Sequence, residues 1–200
     1  MAEMKPEEIK FFQRHGIPIS EVFDATGKRR KDYQEEMRLQ KKNFAFGVNP
    51  CGKGHTVKTR AGHCPQCDTA RIAFQRRHEK EAYVYIAGSL GGKVLKIGFS
   101  EDPERRVRDF NAQGYGLGGR WTLLFYVRCE RAGAMEHEIR KKLKKYVVPT
   151  VYDKGSVEVF TQEQVSCGYI FAREAIASVV GKNMSLSWEL SDATVRFNFK

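Results

Sequence analysis

Within the stretch NPCGKGHTVKTRAGHCPQCDTAR, residues 49–71, stand Cys51, His55, Cys64 and Cys67 in a C-x3-H-x8-C-x2-C array. Zinc takes four nitrogen and sulfur ligands in a tetrahedron, and two short ligand pairs joined by a loop supply that geometry without a large core. Four protein ligands also leave no open coordination position, so a Zn²⁺ held here is structural. His63, next to Cys64, is a second candidate imidazole. His55 is favoured because it forms a tight pair with Cys51 on one turn. A redox role for the CPQC motif is the lesser rival, since no strand-rich thioredoxin pattern precedes it.

The elements around these residues suit a metal knuckle. Gly52 and Gly54 let the chain turn tightly around the first pair, and Thr56 to Arg60 with Ala61-Gly62 reads as a short hairpin. Asp68 or Thr69 then caps a helix running to about Glu81, which places Cys64 and Cys67 at a helix N-terminus. The order of knuckle, hairpin and helix is treble-clef-like. Upstream, Pro6 to His15 followed by Gly16 reads as a helix with a glycine stop, and Arg29 to Lys42 as a charged helix. The basic run Lys28 to Lys31 is either a phosphate contact or a solvated face. Five cysteines, an odd number and unevenly placed, argue against a secreted disulfide framework. Cys129 and Cys167 read as ordinary buried thiols.

Beyond Glu81 the pattern is that of a second module, with no Pro/Gly/Ser linker at the join and packing between the two expected. Tyr83–Ala87 and Val94–Phe99 are alternating strands around the glycine turn of residues 88–93. Asp102-Pro103 opens a helix carrying Val107 and Phe110 inward. Trp121–Cys129 is a third strand, and 132–147 is an amphipathic helix on which Met135, Ile139 and Leu143 recur at i, i+4, i+8. The order is β-β-α-β-α.

This module resembles the GIY-YIG nuclease superfamily, in particular its phage-type branch with lysine in the second motif. The first motif is similar to Val84-Tyr85 and the second to Lys96-Ile97-Gly98. The family arginine falls on Arg106 with Val107 behind it, Arg105 being the fallback if the helix starts one residue out of phase. The metal-binding glutamate falls on Glu136 after Met135. Gly155 to Phe160 is similar to a later strand of that branch, and a closing helix is expected from Thr161 with Gln164 completing its capping box. The resemblance spans roughly residues 83–180. It implies a small three-stranded sheet flanked by helices, with Tyr85, Lys96, Arg106 and Glu136 as catalytic residues and Mg²⁺ or Mn²⁺ on Glu136.

The residue types suit phosphodiester hydrolysis. Arg106 presents a planar cationic fork to phosphate oxygens. Glu136 is the hard oxygen ligand that Mg²⁺ prefers. Tyr85 serves as general base only if its pKa is lowered, which a neighbouring Lys96 ammonium would do. The lysine-rich stretch Arg140 to Lys145 is either a contact stripe for a nucleic-acid backbone or an outer helix face.

Composition sets the outer limits. The chain has 200 residues, of which 41% are hydrophobic, enough for a real core. Its 35 Lys+Arg against 24 Asp+Glu give a net charge of +11, which points to a polyanion. The excess is internal: residues 49–82 carry net +4, residues 83–160 net +5, and residues 161–200 are balanced. No apolar run approaches the roughly 20 residues of a membrane helix. The first ten residues alternate charges without an apolar signal core, so the protein reads as cytoplasmic. The sequence therefore points to an α+β protein. Its expected parts are an N-terminal segment (1–48), a zinc module (49–82), a catalytic domain (83–180) and a C-terminal strand extension (181–200). The expected activity is metal-dependent cleavage of DNA, with RNA left open as a partner. A binding-only nucleic-acid adaptor of the same fold is the alternative, and a zinc-dependent protein-interaction module suits the knuckle alone.

Overall fold

The computed structural model describes residues 3–116, 119–181 and 187–199. The chain is α+β, with seven α-helices and two sheets among the described residues, and divides into two compact units, Met1–Glu79 and Lys80–Lys200. Among the described residues no helix is long and apolar enough to cross a membrane.

The first unit runs α1 (Pro6–Arg14), β1 (Val22–Asp24), α2 (Arg30–Leu39), β2 (Phe44–Phe46), β3 (Lys58–Thr59) and α3 (Ala70–Glu79). Pro6 opens α1 and Gly16, at φ +55°, ends its last turn, as the sequence leads one to expect. β1 and β2 are parallel, so the charged helix α2 is the crossover between them. Its buried Tyr33 and Met37 cluster with Phe23, Ala45 and Val48. β3 pairs antiparallel with β2, through Phe44↔Thr59 and Ala45↔Lys58. The expected hairpin over residues 56–60 is thus a strand added to a sheet that begins before residue 48. The reason is that Val57 is fully buried among Phe12, Phe44 and Phe46, which draws the segment onto the existing sheet.

The second unit runs β4 (Ala82–Ser89), β5 (Val94–Ser100), α4 (Pro103–Ala112), β6 (Trp121–Cys129), α5 (Ala132–Lys142), β7 (Val147–Lys154), β8 (Val157–Val165), α6 (Tyr169–Val180), β9 (Ser187–Glu189) and α7 (Ala193–Arg196). Its sheet has the order β7-β8-β5-β4-β6-β9, with every pairing antiparallel. The three strands read from the sequence are the centre of a six-stranded sheet. The expected sheet was too small because β7, β8 and β9 are only partly apolar and lack clean alternation. The closing helix expected from Thr161 is also corrected. Residues 161–165 continue strand β8, with Thr161 opposite Thr150 and Gln164 opposite both Val148 and Lys96, and the helix starts at Tyr169 after Gly168. Residues 182–186 and 200 of the expected C-terminal extension lie outside the described residues.

The pleat sorts the core into two layers. Val84, Ile86, Leu95 and Ile97 face Ile139 and Leu143 of the α5 region and Ala172 and Ile176 of α6. Tyr85, Ala87 and Val94 face Val107 and Phe110 of α4, with Tyr115 and Trp121. β5 and β8 pair only at Leu95↔Val165 and Lys96↔Gln164. Past that point β5 continues with β4 and β8 with β7, so the sheet forks at Ile97.

Candidate active site and metal centre

In the first unit the chain reverses at Cys51, where Gly54 N–H donates to the Cys51 carbonyl at 2.8 Å and Cys51 N–H to the His55 carbonyl at 2.9 Å. Gly54 stands at φ +79°, a conformation that glycine adopts without a Cβ penalty. The loop is tied to α1 by the Thr56 hydroxyl, which donates to the buried Glu8 carboxylate at 2.5 Å. Asp68 accepts from Ala70 N–H at 3.1 Å at the start of α3, directly after the second ligand pair. The donor atoms of Cys51, His55, Cys64 and Cys67 all lie within 4.8 Å of one another. His63 is exposed, and its carbonyl closes the turn by accepting from Thr59 N–H, so the imidazole in the cluster is His55.

The cluster's edges can be compared with those a zinc ion would impose. Ordinary zinc bond lengths give a tetrahedron with edges of about 3.8 Å between sulfurs and about 3.5 Å between sulfur and nitrogen. The observed separations are 3.6 Å for Cys51 Sγ to Cys67 Sγ, 3.3 Å for His55 Nδ1 to Cys67 Sγ, and 3.6 Å for Cys64 Sγ to His55 Nδ1. The electrostatics agree with a cation site. The backbone N–H groups of Lys53 and His55 pull the Cys51 thiol down to about 6. Desolvation and the neighbouring sulfurs of Cys64 and Cys51 push Cys67 up to about 11. A second thiolate is disfavoured by the first, and a divalent cation between them removes that conflict. The Cys₃His cluster can therefore hold zinc.

In the second unit Arg106 acts electrostatically on Tyr85, and Lys96 lies within the electrostatic reach of both Arg106 and Glu136. Tyr85 on β4 is 1% exposed and lies over Gly98 of β5, its register partner. A Cβ added at Gly98 would stand 2.5 Å from the Tyr85 hydroxyl oxygen and 2.7 Å from its Cζ. Gly98→Ala is therefore expected to destabilise the protein by about 1–3 kcal/mol through overpacking, read as a lowered denaturant midpoint. An unchanged midpoint would show that the ring can move. Arg106 stands exposed on α4, which Asp102 caps by accepting from Arg105 N–H at 2.9 Å. The Arg106 guanidinium lies 5.0 Å from the centre of the Phe110 ring, and its charge acts on the Tyr85 hydroxyl, favouring ionisation against burial.

Lys96 is 4% exposed, and its Nζ donates to the Tyr115 hydroxyl at 3.1 Å and, in a shorter contact, to the Glu163 carboxylate. Glu163 is on β8, next to Gln164, the last β8 residue before the fork that still pairs with β5. Its Oε2 also accepts from the Tyr115 hydroxyl at 3.1 Å. Tyr115 is held in turn by ring stacking on Phe110 at 4.7 Å and by its carbonyl, which accepts from Trp121 Nε1 at 2.7 Å. Glu136, on α5 with its side chain 14% exposed, accepts from Arg140 Nη1 at 3.2 Å, and the same nitrogen lies 3.9 Å from Glu163 Oε1.

These contacts change the electrostatics expected from the sequence. Burial pushes the Tyr85 hydroxyl well above its ordinary value, and Arg106 offsets this only in part. The Lys96 ammonium is committed to Glu163, so Tyr85 stays protonated. Burial likewise lowers the pKa of Lys96 against the pull of Glu163. Burial raises Glu136, with Arg140 and Lys96 opposing. For Glu163 burial works against ionisation, but Lys96, Tyr115 and Arg140 outweigh it and hold the carboxyl below its usual range. Sequence reasoning missed Glu163 and Tyr115. The interrupted β8 was read as a helix start, and nothing local marks a tyrosine in a loop as the partner of a strand lysine.

Residues 82–179 match the family model of the T5orf172 domain. No curated protein and no solved structure matches the chain significantly. The T5orf172 match corrects the resemblance drawn from the sequence: the matched family is a different one, and no GIY-YIG family match accompanies it. The short motifs behind that resemblance have a local packing origin. Tyr85 needs a glycine beneath it on the paired strand and Ile97 faces the opposite layer, so packing in this hairpin accounts for these residues.

Proposed function

We propose that the second unit is a divalent-metal-dependent endonuclease that hydrolyses phosphodiester bonds in DNA, and that the Cys₃His centre holds a structural zinc ion assisting DNA binding. The observation that carries this reading is the grouping at the fork: two carboxylates, Glu136 and Glu163, face the single guanidinium of Arg140, with an exposed Arg106 packed over the Phe110 ring nearby. The T5orf172 domain is associated with nuclease-like and DNA-binding functions, which supports the same class. So does the net charge of +11.

Glu136 suits a hard divalent cation. It is a largely buried carboxylate whose ionised form burial disfavours despite Arg140, so positive charge beside it is favourable. A bound Mg²⁺ or Mn²⁺ would neutralise charge on the phosphoryl oxygens and acidify a water. Arg106, exposed and always charged, clamps the non-bridging oxygens with its fork. The Phe110 ring, 5.0 Å away, backs the Arg106 guanidinium, and the buried Tyr85 beneath it acts as a positioning residue. Lys96 keeps Glu163 ionised and fixed at the fork. One observation favours the binding-only adaptor, namely that Arg140 already neutralises Glu136 by an ion pair.

The deciding measurement is incubation of the full chain with single- and double-stranded DNA and with RNA, in Mg²⁺, in Mn²⁺ and in chelator. Metal-dependent DNA fragments are expected. Binding without products at any metal concentration would establish the adaptor instead. Binding is also expected to weaken linearly in a plot of log affinity against log salt, each phosphate contact contributing about 0.9 to the slope. A flat plot would remove the basic residues from the interface.

A further inference from the structure

The fork in the sheet opens onto a second feature. A cavity of about 470 Å³ lies between β5, the end of α5 and the β7–β8 hairpin. Ile97, Val147, Pro149 and Val165 supply apolar wall, Lys141 and Lys144 supply charge, and Arg140 and Glu163 belong both to this cavity and to the carboxylate cluster. Its volume falls within the roughly 300–1,000 Å³ of small-molecule sites.

The cations differ in what they are free to do. Arg140 is engaged by Glu136 and Glu163, and Lys141 Nζ lies 2.8 Å from Glu138 Oε1. Lys144 is exposed and has no ionic partner among the described residues. A cavity with one uncompensated ammonium at its rim and an aliphatic lining inside is complementary to a ligand with an anionic end and a flat, weakly polar body. A nucleotide is such a ligand, its phosphate for the lysine and its base for the aliphatic wall.

We infer that this cavity is a nucleotide subsite, holding the residue of the substrate strand next to the cleaved bond, with its phosphate on Lys144 and its base against Val147 and Pro149, the two apolar wall residues that reach the surface. The inference rests on the nuclease reading above and deepens it: Arg140 and Glu163 belong both to the carboxylate cluster and to the cavity, so a strand whose cleaved phosphate lies at Glu136 reaches the cavity with its next residue. It also separates Lys144 from the rest of the basic stripe. Lys142 and Lys145, neighbours in sequence, do not line the cavity.

The test uses the full chain and a fluorescent single-stranded oligodeoxynucleotide in chelator, so that binding is measured without cleavage. Lys144→Ala is expected to weaken binding about 5- to 10-fold at moderate salt and to reduce the salt slope by about 0.7, the share of one single-strand phosphate contact, whereas Lys142→Ala leaves both unchanged and Lys144→Arg restores the slope. An abasic residue beside the cleaved position should weaken binding to the wild type. Equal losses in Lys144→Ala and Lys142→Ala, or no loss in either, would overturn the subsite and leave a diffuse basic face, with the nuclease reading intact. Failure of the wild type to bind any nucleic acid would instead overturn the nuclease reading, and the subsite with it.

Discussion

Glu136→Gln is expected to lower the cleavage rate at least about a thousandfold, or roughly 4 kcal/mol of transition-state stabilisation, the scale of a lost catalytic metal. The substitution keeps the shape of the side chain and an oxygen for the Arg140 bond of 3.2 Å, so the fold should be unaffected. DNA affinity should hold or rise, because a negative charge has left a phosphate site. Arg106→Ala should lower the rate as well, but with some loss of affinity, since its fork meets the substrate before the transition state as well as in it. Single-turnover kinetics on a labelled duplex, with binding measured separately in chelator, distinguish the two. Undiminished cleavage by Glu136→Gln would remove Glu136 from the site.

The second large effect concerns zinc. Purified protein is expected to carry about one zinc per chain, and Cys64→Ser or Cys67→Ser to release it. Apparent binding energies of structural zinc reach about 10–16 kcal/mol, more than the stability of most small domains, so the ligand segment should lose its fold when the ion leaves. Residues 56–61 are held by the buried Val57, by β3 and by side-chain bonds to Arg60 and Ala61, whereas residues 49–55 and 62–69 rest chiefly on local turns around the cluster. Hydrogen exchange should therefore accelerate across residues 49–55 and 62–69 on zinc removal, while β4 and β6 stay protected. Equal protection in metal-free protein, or absence of zinc by elemental analysis, would defeat the assignment.

Local chemistry carried much of this structure into the sequence. Asp102-Pro103 is a helix start by capping alone, Trp121–Cys129 is a strand by its aromatic and β-branched content, and both stand where their residues direct. The spacing of Cys51, His55, Cys64 and Cys67 was enough to group them, because short ligand pairs leave few ways to arrange a tetrahedron. What local chemistry does not carry is register between distant strands. Lys96 is buried because β8 supplies Glu163 to it, a contact between residues far apart in the chain. Without that partner in view, the sequence pairs Lys96 with Tyr85, whereas the hydrogen bonds of its Nζ go to Tyr115 and Glu163. The segment 161–165 misled for a related reason: threonine followed three residues later by glutamine satisfies a capping box, yet the same polar groups satisfy a strand at the sheet's fork.

The Lys96–Glu163 pair is unequal, with a lysine side chain 5% exposed and a glutamate side chain 43% exposed. Loss of Glu163 strands an ammonium in the interior, a defect of about 3–5 kcal/mol, whereas loss of Lys96 leaves a carboxylate that water can still reach. Descent with modification is then directional. A lineage shedding the pair would have to replace Lys96 with an aliphatic residue first and release Glu163 afterwards. Related chains bearing glutamate without the lysine are plausible waypoints, while those with the lysine and an apolar residue in place of the glutamate should have been purged.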